Sequence, residues 1–258
     1  MAASFFIAHG SPMLAIEDNR YTRDLQQLGH SLGTPAAIVV FSAHWISRTL
    51  SITSTNDPYE TIYDFGGFPR ELYEITYPAR GSVKVAAKVA QLFEGNGIEV
   101  RRDSRRGLDH GVWVILRHMF PEADIPVIAA SVNPLLPPEE QYRIGQAIAA
   151  LKNKNIVVIG SGATVHNLRA INFSADHESD EWAEKFDDWL IDHIQKWDTV
   201  SLFDYKRLAP HAQLATPDYE HFLPLFIAMG CGDASRKARV LHRSYRYGAL
   251  SHMILEFA

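Results

Sequence analysis

The sequence predicts an α/β fold: a single domain over residues 1–258 with a mostly parallel or mixed central sheet flanked by helices. Four short apolar runs read as strands, the segments between them read as helices, and the two types alternate along the chain. Such alternation is what helices packed on the faces of a largely parallel sheet require.

The first two runs, SFFIAH from Ser4 to His9 and AIVVFSAH from Ala37 to His44, are almost continuously apolar, as are IPVIAASV from Ile125 to Val132 and NIVVIGSG from Asn155 to Gly162. Without polar alternation, both faces of each strand must be covered. The helical segment SVKVAAKVAQLFEGNG opens on a Ser cap at Ser82 and closes on Gly, and PPEEQYRIGQAIAALKNKN opens on Pro and Glu and closes on Lys and Asn. In Ser179 to Trp197, apolar Trp182, Phe186, Trp189, Leu190 and Ile194 recur at spacings of three and four, so this segment is an amphipathic helix with an acidic outer face. His193 falls on its surface. The segment Ser54 to Gly81 is rich in Pro, Gly and Tyr, too long for a simple connection, and reads as a lid or wall over a pocket.

Of the 258 residues 47% are hydrophobic, enough for a full core, and a net charge of -5 with no basic block excludes an electrostatic footprint for nucleic acid or an anionic membrane. The expected partner is a small molecule. The opening residues MAASFFIAHGSP lack a basic stretch followed by a sustained apolar one, and no apolar run approaches the roughly 20 residues that span a bilayer, so the expected location is the cytoplasm. Cys231 is the single cysteine, which excludes an internal disulfide and a thiolate-rich zinc site; a metal would be held by imidazole and carboxylate.

Twelve histidines make that search worthwhile. In open α/β sheets ligands bind beyond the carboxyl ends of the strands. His9 closes the first strand, His44 closes the second, and His166 follows the strand that ends in GSG. One strand-end imidazole is equally a hydrogen-bonded structural group, but three at equivalent positions can converge on one ion if their strands are neighbours. His110 stands in the turn-like start of the helical VWVILRHMF, and His221, beside Glu220, stands near the start of an apolar helix. His30, His118, His177, His211, His242 and His252 read as surface or core residues.

The motifs HGSPM, SAHW, DFGGFP with YPARG, LDHGVW, VHNLR and HFLPL occur in the order and approximate spacing of the class III extradiol aromatic ring-cleavage dioxygenases, and the sequence resembles their 4,5-DOPA dioxygenase-like branch from His9 to about Leu225. The resemblance implies one non-haem divalent metal, Fe(II) for activity with Zn(II) able to occupy the site in purified protein. It implies His9, His44 and His221 as ligands, His166 as acid/base residue or fourth ligand, and His110 on the substrate side. It further implies a catechol with an amino-acid-like side chain and O2 as substrates, and ring opening to a muconic semialdehyde. Glu220 is then a partner of the site or a surface group.

Around this centre, Asn167 and Ser161 are candidates for orienting His166, and Asp109 for holding the second nitrogen of His110, with plain capping as the alternative. Tyr59, Tyr63, Phe65, Phe68, Tyr73 and Tyr77 are candidates for stacking on an aromatic substrate, or simply pack under the loop. Arg70 and Arg80 are candidates for a substrate carboxylate. A homodimer is the default for a soluble enzyme of this size. Two rival readings use the same histidines: a zinc-dependent hydrolase with His166 or Glu220 as base, and a non-catalytic metal- or small-molecule-binding protein.

Overall fold

A computed structural model describes residues 3–174 and 178–258; His177 lies outside the described residues. Strands β1 (Ser4–Ala8), β2 (Ala37–Ile46), β3 (Leu50–Thr53), β4 (Val100–Asp103), β5 (Val127–Val132), β6 (Ile156–Gly162), β7 (Ala238–Arg246) and β8 (Leu250–Phe257) are joined by helices α1 (Arg20–Leu32), α2 (Val83–Gly95), α3 (His110–Met119), α4 (Pro138–Ile148), α5 (Glu181–Gln195), α6 (Thr199–Phe203), α7 (Tyr205–Leu208), α8 (Ala212–Ala215) and α9 (Leu223–Cys231). The strands form one sheet in the order β4-β3-β5-β2-β6-β1-β8-β7. The four runs read from the sequence are its centre, β5-β2-β6-β1, all parallel. Antiparallel pairs β1–β8, β8–β7 and β3–β5 make the sheet mixed.

Burial of β2 on both faces follows the two-residue period of a strand. Ile38 and Val40 pack in the same cluster as Leu25 of α1 and Trp113 of α3, whereas Ala37, Val39 and Phe41 pack with Phe93 of α2, Ile148 of α4 and Ile227 of α9. The expected helices are present: Ser82 caps α2 by accepting from the Val85 amide, and α5 covers most of the amphipathic segment. The sequence carries no such signal for α1, α6, α7, α8, β3, β4, β7 and β8. β4 is an outer strand whose central residues Arg101 and Arg102 are exposed, and β7, the opposite edge, carries polar residues throughout; edge strands do not show the continuous apolar run that marks the centre.

Helices α4 and α9 cross with backbones in contact. A Cβ on Gly145 would stand 2.0 Å from the Ile227 carbonyl oxygen, and one on Gly230 would stand 2.0 Å from that of Tyr142. Gly230→Ala therefore lowers stability by about 1–3 kcal/mol through overpacking, although alanine is the better helix former by about 1 kcal/mol. Urea denaturation reads this as a lower midpoint; an unchanged or raised midpoint would contradict the close crossing. The same economy of space operates on β6. A Cβ on Gly160 would meet the Pro224 carbonyl at 2.1 Å and one on Gly162 that of His221 at 2.0 Å, so these two glycines let the chain entering α9 lie directly on the carboxyl end of the central strand.

Candidate metal centre and active site

β6 lies between β1 and β2, so the carboxyl ends of all three strands open into one crevice. His9 follows the last residue of β1 and its amide donates to the Gly162 carbonyl at 3.1 Å. His44 lies near the end of β2. His221 arrives from the opposite side. Its carbonyl accepts from the Ala163 amide at 2.9 Å, and it ends a short 3-10 turn, Tyr219–His221, rather than standing within the apolar helix α9.

The hydrogen bonds of these three rings fix their tautomers. Ser161 donates its hydroxyl proton to the Gly111 carbonyl, so its oxygen accepts from His9 Nδ1 at 2.9 Å. His221 Nδ1 donates to Glu220 Oε1 at 3.0 Å, and His44 Nδ1 faces Asp64 Oδ2 at 3.3 Å; an ionised carboxylate only accepts. Each Nδ1 therefore carries the proton and each Nε2 presents a bare lone pair. The His44 Nε2 is 3.0 Å from that of His9 and 3.2 Å from that of His221. Three lone pairs facing one another repel unless a cation lies among them, and a divalent metal satisfies all three where one proton cannot. Burial and the neighbouring imidazoles hold His9 and His44 well below the usual histidine range, which keeps both rings in the neutral, ligating form. The residues fit a metal.

His110 opens α3 beside this triad. One ligand atom from each of His9, His44 and His110 also falls within a mutual distance of 4.8 Å. The second nitrogen of His110 is not held by Asp109, as the sequence suggested, but by Asp64: its Nδ1 and its amide both donate to Asp64 Oδ1, each at 2.9 Å. Asp109 instead turns beneath the β2 end, where Ser42 donates to it at 2.6 Å and Arg106 at 2.9 Å. Asp64 is the residue sequence reasoning missed. Burial alone would raise its carboxyl; the His110 imidazole and amide, with His44, outweigh this and hold it down at about 2. Its one signal was its place in DFGGFP, within the segment read as a pocket wall.

His166 stacks face to face on His221, with ring centroids 3.8 Å apart and planes 10° from parallel, and its ring makes no hydrogen bond among the described residues. Parallel rings aim their in-plane lone pairs side by side. Burial, then His221, lowers His166 to about 3, so it is neutral at neutral pH. Neither expected partner orients it: Ser161 serves His9, and Asn167 caps the next turn by accepting from the Arg169 and Ala170 amides. The remaining histidines are structural, as read from the sequence: His118 Nε2 faces the Leu14 carbonyl, His193 stacks on Trp189, buried His242 pairs with Asp24, buried His252 stacks on Tyr21, and His30 and His211 are exposed.

The histidines floor a cavity of about 870 Å³. Phe65 and Phe68 line it, so the 54–81 segment is a wall of the site. Tyr59, Tyr63 and Tyr77 spend their hydroxyls on the Val127, Ile75 and Phe120 carbonyls, and Tyr73 packs on Phe65; these four support the wall and do not face the cavity. Arg70 and Arg80 are not at the site. Both are exposed, bonded to Glu74 and to the Asn56 carbonyl, because the segment folds them onto its outer side.

Imidazoles gathered at the carboxyl ends of parallel strands, beneath a cavity walled by aromatics, define an α/β enzyme whose histidines are arranged for a metal. The particular family follows from comparison: the family model for the catalytic LigB subunit of aromatic ring-opening dioxygenase matches residues 3–258. The chain belongs to this family, the class III extradiol ring-cleaving dioxygenases, and is an oxidoreductase. It is similar to the 4,5-DOPA dioxygenase extradiol of Beta vulgaris, 39% identical across 98% of this chain and 96% of that one, and to that of Escherichia coli K12, 35% identical across 98% and 93%. It also superposes on the crystal structure of an uncharacterised protein of Escherichia coli K12 with a TM-score of 0.86, at 32% identity and full coverage of both chains. Among the described residues no helix is long and apolar enough to cross a membrane.

Proposed function

We propose that the chain opens the ring of a catechol with O2 to give a muconic semialdehyde, with His9, His44 and His221 holding Fe(II). The observation that carries this reading is the set of three bare Nε2 lone pairs converging under an aromatic-walled cavity. Held by His9, His44 and His221, a divalent metal would supply the positive charge that acidifies the diol and the redox chemistry that activates O2. All else is done by the chain. Asp64 retains the Nδ1 proton of His110 and so leaves Nε2 as the acceptor for a diol proton. His166, neutral and parallel to His221, suits a proton carrier better than a fourth ligand. Phe65 and Phe68 exclude water and stack on the ring.

Of the two bases the hydrolase reading offers, Glu220 is committed to His221 Nδ1, which leaves His166. The two readings separate on metal loading. Protein reconstituted anaerobically with Fe(II), given a catechol and then air, consumes O2 and forms a yellow ring-opened product, while the Zn(II) form does not. No O2 uptake with any catechol would overturn the dioxygenase assignment of the site.

A further inference from the structure

The strand that delivers His44 leaves its regular register just before it does so. β2 pairs with β5 from Ile38↔Val127 to Phe41↔Ala130 and next at Ile46↔Val132, so Ser42 to Trp45 stand against Ser131 alone. On the other side, the register with β6 ends at Ser42↔Ser161. A bulge of this kind re-aims a side chain but takes its backbone out of the ladder, and a buried amide or carbonyl then needs another partner. His44 finds both. Its amide donates to Ser42 Oγ at 3.2 Å, and its carbonyl accepts from Arg106 Nη2 at 3.4 Å.

Behind these two contacts lies an ion pair. Arg106 Nη2 also donates to Asp109 Oδ2 at 2.9 Å and Ser42 donates to Asp109 Oδ1 at 2.6 Å, so this carboxylate, 1% exposed, joins the two groups that hold the His44 peptide. The guanidinium stacks on Trp45, its Cζ 4.6 Å from the ring centroid. Its Nε is buried with no hydrogen-bond partner among the described residues. A buried donor left unpaired is unfavourable, as is taking an ion pair out of water, so stability alone is a poor reason for an arginine here. Asp109 is also the residue before α3, where its carbonyl accepts from the Val112 and Trp113 amides at 2.9 and 3.0 Å. The pair thus ties the His44 bulge to the start of the helix that presents His110, whose ring centroid is 4.0 Å from that of His44.

We infer that Arg106 and Asp109 are positioning residues for the metal centre: the pair clamps the His44 peptide in its bulge and so sets where His44 Nε2 stands relative to the other ligands and to His110. Neither side chain lines the cavity. The inference rests on the reading in which His44 holds the metal. A ligand free to swing must be ordered on binding, which weakens affinity, and the outer partners of metal ligands typically contribute about 10–100-fold.

Two measurements test it, one with metal and one without. The first is Zn(II) affinity by chelator competition, with the visible absorption of the Co(II)-loaded protein reporting ligand geometry. Arg106→Met combined with Asp109→Leu removes both charges and their hydrogen bonds at similar volume, and leaves no buried charge alone. Its Zn(II) affinity falls about 10–100-fold and its Co(II) bands shift. Arg106→Lys keeps a charge opposite Asp109 but not the fork that also reaches the His44 carbonyl, so it keeps the fold and shows an intermediate loss. Wild-type affinity with an unchanged Co(II) spectrum in either variant would reduce the pair to a structural contact and overturn the inference. The second measurement is residue-resolved amide hydrogen exchange of the metal-free protein. In the apolar pair His44 loses about tenfold of its protection, while Val40, earlier in the same strand, keeps its own. Unchanged protection at His44 would overturn the clamp. If His44→Ala binds Zn(II) as tightly as the wild type, the metal reading fails by itself, and the exchange result still decides whether the pair holds the peptide.

Discussion

Replacing His110 with alanine lowers kcat of the Fe(II)-loaded protein by about 10²–10⁴-fold, the range expected for loss of a general acid or base, and leaves its metal content near the wild-type value. The expectation follows from what holds the ring. Asp64 takes both the His110 amide and its Nδ1 proton, each at 2.9 Å, and through its other oxygen faces His44 Nδ1 at 3.3 Å. One carboxylate thus fixes the tautomers of His110 and His44 together. Asp64→Asn keeps the shape but offers one side-chain acceptor where two are used. Its kcat falls with that of His110→Ala, and its metal affinity also drops, by about the 10–100-fold typical of an outer partner of a ligand. Metal analysis beside steady-state kinetics separates the roles: full metal retention in His110→Ala makes it a proton-transfer group, whereas metal loss equal to that of His44→Ala would make it a ligand.

The second large effect is on the metal itself. Alanine at His9, His44 or His221 removes one of three converging Nε2 atoms, and each variant retains well under one metal per chain after dialysis at neutral pH, with activity lost in parallel. Glu220→Ala leaves all three ligands in place but frees the His221 ring to turn, so it binds metal about 10–100-fold more weakly without abolishing binding. Stoichiometric metal in His221→Ala would remove that residue from the set and shift the site to His9, His44 and His110, the other group within ligating reach.

The centre of the fold was legible because its strands are buried on both faces and must be apolar throughout; the outer strands were not, since β4 and β7 are edges on which Arg101, Arg102 and Arg239 meet solvent. The same logic divides the site. His9, His44 and His166 follow apolar runs, so their strand-end positions can be read from neighbours in sequence. Their convergence cannot, because it depends on β6 lying between β1 and β2. Partners were assigned by closeness along the chain and for that reason were misassigned: Asp109 adjoins His110 but serves Ser42 and Arg106, while Asp64, 46 residues away, holds the imidazole. Ser161 was likewise paired with His166, five positions on, when the parallel register of β6 with β1 sets it beside Ile7 and within reach of His9. Arg70 and Arg80, the candidates for a substrate carboxylate, lie in the wall segment and are exposed on its outer side. The arginine on the cavity is Arg169, one turn beyond the histidine of VHNLR.

The mass of the product formed by anaerobically loaded Fe(II) protein, given one equivalent of a catechol and then O2, tests the central claim most directly. Ring opening at this centre yields a single product whose mass is that of the catechol plus one O2, with one O2 consumed per catechol. A product lighter than the catechol by two hydrogens, the quinone of simple oxidation, would contradict it, as would recovery of unchanged catechol from protein that carries its full complement of iron.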